Sequence, residues 1–137
     1  MALLSWGPNL MVGFKPIDDQ HEKLVSLVNA LDAGVRAGYS LNILGSVLDE
    51  LIRYTREHFT FEEGLMDTYR IPGMEQHKRA HAELTAEVVA YRDKFVNGGG
   101  NAAMPLLRFL RDWLENHILK TDKDLAAQLI AQGANAA

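Results

Sequence analysis

Leucine, valine and histidine recur along this chain in alternating steps of three and four. One stripe reads His21, Leu24, Val28, Leu31, Val35, and a second reads Leu44, Leu48, Leu51, Thr55, His58, Glu62, Leu65. A third reads Met74, His77, His81, Leu84, Val88, Tyr91, Phe95, and a fourth passes through Leu110, Leu114 and His117. At about 3.6 residues per turn, such spacing keeps one face of an α-helix turned inward. Breakers and caps supply the bounds. Asp18 and Asp19 are good helix starters, so a first helix is expected over about 18–38, with Gly38 suited to a left-handed stop. Ser40 can cap a second over about 41–69, which Ile71-Pro72-Gly73 should end. A third, over about 74–96, should stop before Asn97-Gly98-Gly99-Gly100; a fourth, over about 103–120, tolerates Pro105 only in its first turn. A short terminal helix over about 122–132 should turn Leu125, Leu129 and Ile130 inward, and 131–137 should fray. Residues 1–17 lack helical period and read as an extended arm anchored by Trp6. Four stripes joined by short turns predict an all-α fold: an up-down-up-down antiparallel four-helix bundle with an N-terminal arm and a short C-terminal helix.

Composition changes this picture mainly by exclusion. The 137 residues suit a single domain, 1–137, with a core of its own. With no cysteine there can be no disulfide framework, iron–sulfur cluster, thiolate zinc site or cysteine nucleophile. The net charge of −4, with Lys and Arg scattered singly, argues against nucleic acid and anionic membrane as partners. No apolar run approaches the roughly 20 residues that span a bilayer, and the first residues lack the cationic start of a signal peptide. The expectation is a cytoplasmic monomer with no membrane insertion.

The histidines carry the candidate chemistry. There are only five, and each stands on an inward stripe where Leu or Val would be expected. Burying five rings and Glu62 without partners would cost on the order of 1–3 kcal/mol per unsatisfied group. A metal ion removes most of that penalty. His58 and Glu62 are four apart, as are His77 and His81, so each pair projects from one helix face. Asp122 follows His117 by five residues, which on a regular helix leaves it about 140° off that face. Either a π-type turn re-aims it, or the helix ends there, or it caps the last helix; Asp124 is a weaker candidate.

These residues resemble a known family. HFTFEE with the HxxxH of His77 and His81, WLxxHxxxxD from Trp113 to Asp122, and IDxQH from Ile17 to His21 together are similar to the hemerythrin family in its single-domain bacterial form. The resemblance covers nearly the whole chain. It implies reversible dioxygen binding at a non-haem di-iron centre, for oxygen storage, transport or delivery, and not an enzyme. One iron would take His77, His81 and His117, the other His21 and His58, with Glu62 and Asp122 bridging. Of twelve positions on two six-coordinate irons, five imidazoles, four carboxylate oxygens and a shared oxo or hydroxo bridge leave one open for dioxygen. The resemblance also implies an apolar pocket, placing Leu114 near the ligand, and Ile118 stands beside it; Trp113, Phe59, Phe61 and Met66 read as core. An oxygen-consuming enzyme would be the recipient. A zinc hydrolase is excluded by the absence of HExxH and by too many donors for one tetrahedral ion. A di-iron oxidase or peroxidase, and a sensor of oxygen, nitric oxide or iron, stand as rivals.

Overall fold

The computed structural model describes residues 3–98 and 102–134, except for the side chain of Leu119. Its helices are α1 (Lys15–Ala37), α2 (Leu41–Tyr69), α3 (Met74–Gly98), α4 (Ala103–Asn116) and α5 (Lys123–Ala131). A π-helical segment, His117–Asp122, joins α4 to α5, and one 3-10 turn, Pro8–Leu10, interrupts the arm. No strand occurs among the described residues. Each of α1 to α4 packs on the next and α1 returns to α4, which closes a four-helix bundle.

Local chemistry sets the ends. Pro16 lies in the first turn of α1, where its missing N–H costs nothing, so the helix starts at Lys15, three residues before the expected Asp18. Asp18 serves the arm instead: its carboxylate accepts from the N–H of Val12 at 2.7 Å and of Gly13 at 3.2 Å. Asn29 holds the arm further out, accepting from Leu4 N–H at 2.9 Å and donating to Leu4 O at 2.8 Å. Gly38 closes α1 in the left-handed region (φ 74°), and the Ser40 hydroxyl accepts from Ile43 N–H at the start of α2. α2 ends at Tyr69, two residues before Ile71 opens the breaker, because Arg70 itself turns left-handed (φ 50°). α3 runs through Asn97 and Gly98, past the expected stop; Gly99, Gly100 and Asn101 lie outside the described residues, as do 135–137 of the expected tail.

The core falls into two apolar clusters. The larger gathers Leu24, Leu31, Leu48, Leu51, Leu110 and Leu114 with the arm's Leu4 and Leu10. The smaller gathers Phe14, Ile17, Met66, Ile71, Leu125 and Leu129. Ile130 faces solvent, 46 % exposed, contrary to its expected inward place. It stands five residues after Leu125, about 140° around the helix, so the two cannot share a face. Along α1, α2 and α3, and in the π-helical segment between α4 and α5, the changeover from one cluster to the other is marked by histidines and carboxylates. No helix is long and apolar enough to cross a membrane among the described residues.

Candidate metal centre

Three helices and the π-helical segment deliver donors to that changeover level. α1 brings His21; α2 brings His58 and Glu62 four residues apart; α3 brings His77 and His81. The π segment brings both His117 and Asp122. Its i→i+5 bonding places residues five apart on one face, so a single rod presents the imidazole and the carboxylate together. The sequence left this open between a π turn and a helix end, and the structure has the π turn. The expected helix end near 120 is absent, since α5 continues from the π segment without a break. Asp124, the weaker candidate, is exposed and outside the cluster.

The seven side chains face one another with their Nε2 and carboxylate oxygens inward. His21, His58, Glu62, His117 and Asp122 form one group of possible cation donors, and His77, His81, His117 and Asp122 another. Glu62 divides its oxygens between the two sides. Its Oε2 lies 3.3 Å from His58 Nε2 and 4.0 Å from His21 Nε2, while Oε1 lies 3.1, 3.6 and 3.8 Å from His81, His117 and His77. Asp122 Oδ2 is 2.7 Å from both His21 and His117 and 3.5 Å from His58, and its Oδ1 is 3.4 Å from His77. His77 alone retains appreciable exposure, 11 %, and the other six are buried.

The fit to a cation can be judged from polar atoms that lack partners. Both Glu62 oxygens, Asp122 Oδ1 and the Nε2 atoms of His58, His77, His81 and His117 are buried without a hydrogen bond. Seven such atoms aimed at one another would be costly in a finished core. They are donors for a positive charge. With only protons to share, the groups polarise one another strongly. Burial and the Asp122 charge work against ionised Glu62, yet His58 and His117 bring it down to about 2. Burial likewise opposes ionised Asp122, but His117 above all, with His21 and His58, holds it well below the usual carboxylate range. Against burial, Asp122 and then Glu62 lift His117 to about 10, while burial lowers His21 despite its bond to Asp122. Two fixed negative charges among competing imidazoles make a site that exchanges protons for cations.

Leu114 and Ile118 are fully buried in the larger cluster, three residues before His117 and one after it. Phe59 and Trp113 are core residues as expected, and they also hold ligand candidates in place. The Phe59 ring stacks on His81 at 3.8 Å and 5°, and Trp113 lies near-parallel to His117 at 6.0 Å. Sequence reasoning passed over Gln20 and Glu63. Gln20 Oε1 accepts from His58 Nδ1 at 2.7 Å, and Glu63 Oε2 accepts from His81 Nδ1 at 3.0 Å. Their only signal was adjacency to His21 and Glu62.

A closed bundle with five imidazoles and two carboxylates in its interior is a cation-binding four-helix protein. The profile of the hemerythrin HHE cation binding domain matches residues 12–129. The chain is 36 % identical to bacteriohemerythrin of Stenotrophomonas maltophilia, over 96 % of this chain and 84 % of that one. It is 38 % identical to bacteriohemerythrin of Methylococcus capsulatus, over 90 % of this chain and 94 % of that one. A crystal structure of wild-type hemerythrin superposes with a TM-score of 0.84 at 32 % identity, covering 93 % of this chain and 98 % of the other. A leucine-to-alanine mutant of hemerythrin gives 0.85 at the same identity. The chain therefore belongs to the hemerythrin family.

Proposed function

We propose that this protein binds dioxygen reversibly at a non-haem di-iron centre, as a store or carrier and not as an enzyme. His77, His81 and His117 would hold one iron, His21 and His58 the other, with Glu62 and Asp122 shared between them and an oxo or hydroxo bridge completing the pair. The observation that carries the reading is the set of buried, unpartnered Nε2 and carboxylate oxygens that α2, α3 and the π-helical segment turn toward one another, beside His21 of α1 on Asp122. Bound there, an iron pair supplies the two electrons that reversible dioxygen binding requires.

The chain's own residues set the conditions. Glu62, with one oxygen toward each side, would be the carboxylate that two cations share. Five neutral imidazoles and only two acids place less negative charge around the metals than a carboxylate-rich site would, which favours release of dioxygen over its cleavage. Leu114 and Ile118 give the site an apolar wall that excludes water and protons. The test is an iron assay with an optical spectrum. Two irons per chain are expected, with a visible band present under dioxygen and bleached when dioxygen is removed. Iron-replete protein whose spectrum ignored dioxygen, or which oxidised added substrates in air with turnover, would overturn the reading.

A further inference from the structure

The backs of the imidazoles are supported unequally. His81 Nδ1 donates to the carboxylate of Glu63 at 3.0 Å, His58 Nδ1 donates to the neutral amide oxygen of Gln20 at 2.7 Å, and His21 Nδ1 is buried with no partner. A carboxylate can only accept, so Glu63 fixes the proton of His81 on Nδ1 and turns the Nε2 lone pair into the site. His81 is also held from the side, with Phe59 stacked flat against it at 3.8 Å. Glu62 and Glu63 are consecutive on α2, so one helix offers a carboxylate to the front of His81 at 3.1 Å and another to its back.

We propose that Glu63 is a positioning residue that makes the three-histidine set, His77, His81 and His117, the first to take up a divalent cation. The pair His21 and His58 fills second. This rests on the two-cation reading above. A negative charge behind an imidazole pushes electron density toward the opposite nitrogen and strengthens it as a metal donor; an amide does so less, and an empty flank not at all. Glu63 is 32 % exposed and shares its recess with Arg56 and Lys78, so water and these cations weaken its field. The effect belongs at the low end of the roughly 10–100-fold range typical of such supports.

Zinc(II) titrated into the metal-free full chain tests the order, read by calorimetry and by ring 15N resonances of the five histidines. The first equivalent should shift His77, His81 and His117, and the second His21 and His58. Glu63→Gln keeps a hydrogen-bonding group but removes the charge. It should weaken the first step by about tenfold, leave the second step alone, and leave the melting of the metal-free protein unchanged. Gln20→Glu should strengthen the second step. Simultaneous shifts of all five rings, or an unaltered first step in Glu63→Gln, would overturn the role given to Glu63 while leaving two bound cations intact. Failure of the wild-type chain to take up any cation would overturn the two-cation reading and this order with it.

Discussion

The two apolar clusters on either side of the polar layer are built differently. The larger is made mainly by α1 to α4, whose leucines at three-and-four spacing would find one another in any antiparallel bundle, with Leu4 and Leu10 of the arm laid against them. The smaller is made from Phe14 of the arm, Ile17 at the start of α1, Met66 and Ile71 near the end of α2, and α5, which arrives only because the π segment carries the chain there. α5 packs chiefly on that segment and on α2. One cluster is therefore the source of global stability. The other is a footing for Asp122, whose carboxylate reaches four of the five histidines.

That contrast can be broken from the large side first. Leu110→Ala, at a fully buried position, should lower unfolding free energy by about 2–5 kcal/mol in urea titration, without changing the number of cations bound per chain. Leu125→Ala, nearly as buried, should cost less, about 2 kcal/mol, because a short terminal helix can relax. Its signature should be faster amide exchange confined to α5, together with weaker cation binding as Asp122 loses support. Equal global losses with no effect on binding would erase the distinction between the clusters. If the proposed dioxygen site has the apolar wall assigned to it, Leu114→Ala would thin that wall. The band formed with dioxygen should then decay severalfold faster in air, equivalent to roughly 1 kcal/mol of barrier, and an unchanged rate would remove Leu114 from the wall. The smallest effect belongs to Arg70→Gly. A left-handed non-glycine residue costs about 1–2 kcal/mol and glycine's extra chain entropy returns about 0.5–1, so the thermal midpoint should rise by the equivalent of about 0.5 kcal/mol.

The larger cluster was legible because repetition is redundant: Leu44, Leu48 and Leu51 announce one face even if any one of them is misread. That five imidazoles and Glu62 converge also follows from stripe positions, since His21, His58, His77, His81 and His117 replace apolar residues in register. The smaller cluster was less legible. Asp122 five residues after His117 suited several geometries, and only the backbone hydrogen bonds of 117–122 select among them. Ile130 looked inward because its neighbours were apolar, although its angle excluded it. Asp18 was read as a helix start when its carboxylate belongs to the arm. Glu63 and Gln20 carry no periodic mark at all, for a hydrogen bond to the far side of a ring leaves no pattern in hydrophobicity.

Because Glu62 sends one oxygen to each half of the cluster, α2 acts as a yoke. A small slide of this long rod along its own axis would tug both halves at once and in the same sense. Glu62 thus sets the spacing of the two halves, while the groups behind the rings, Glu63 for His81 and Gln20 for His58, tune each half separately.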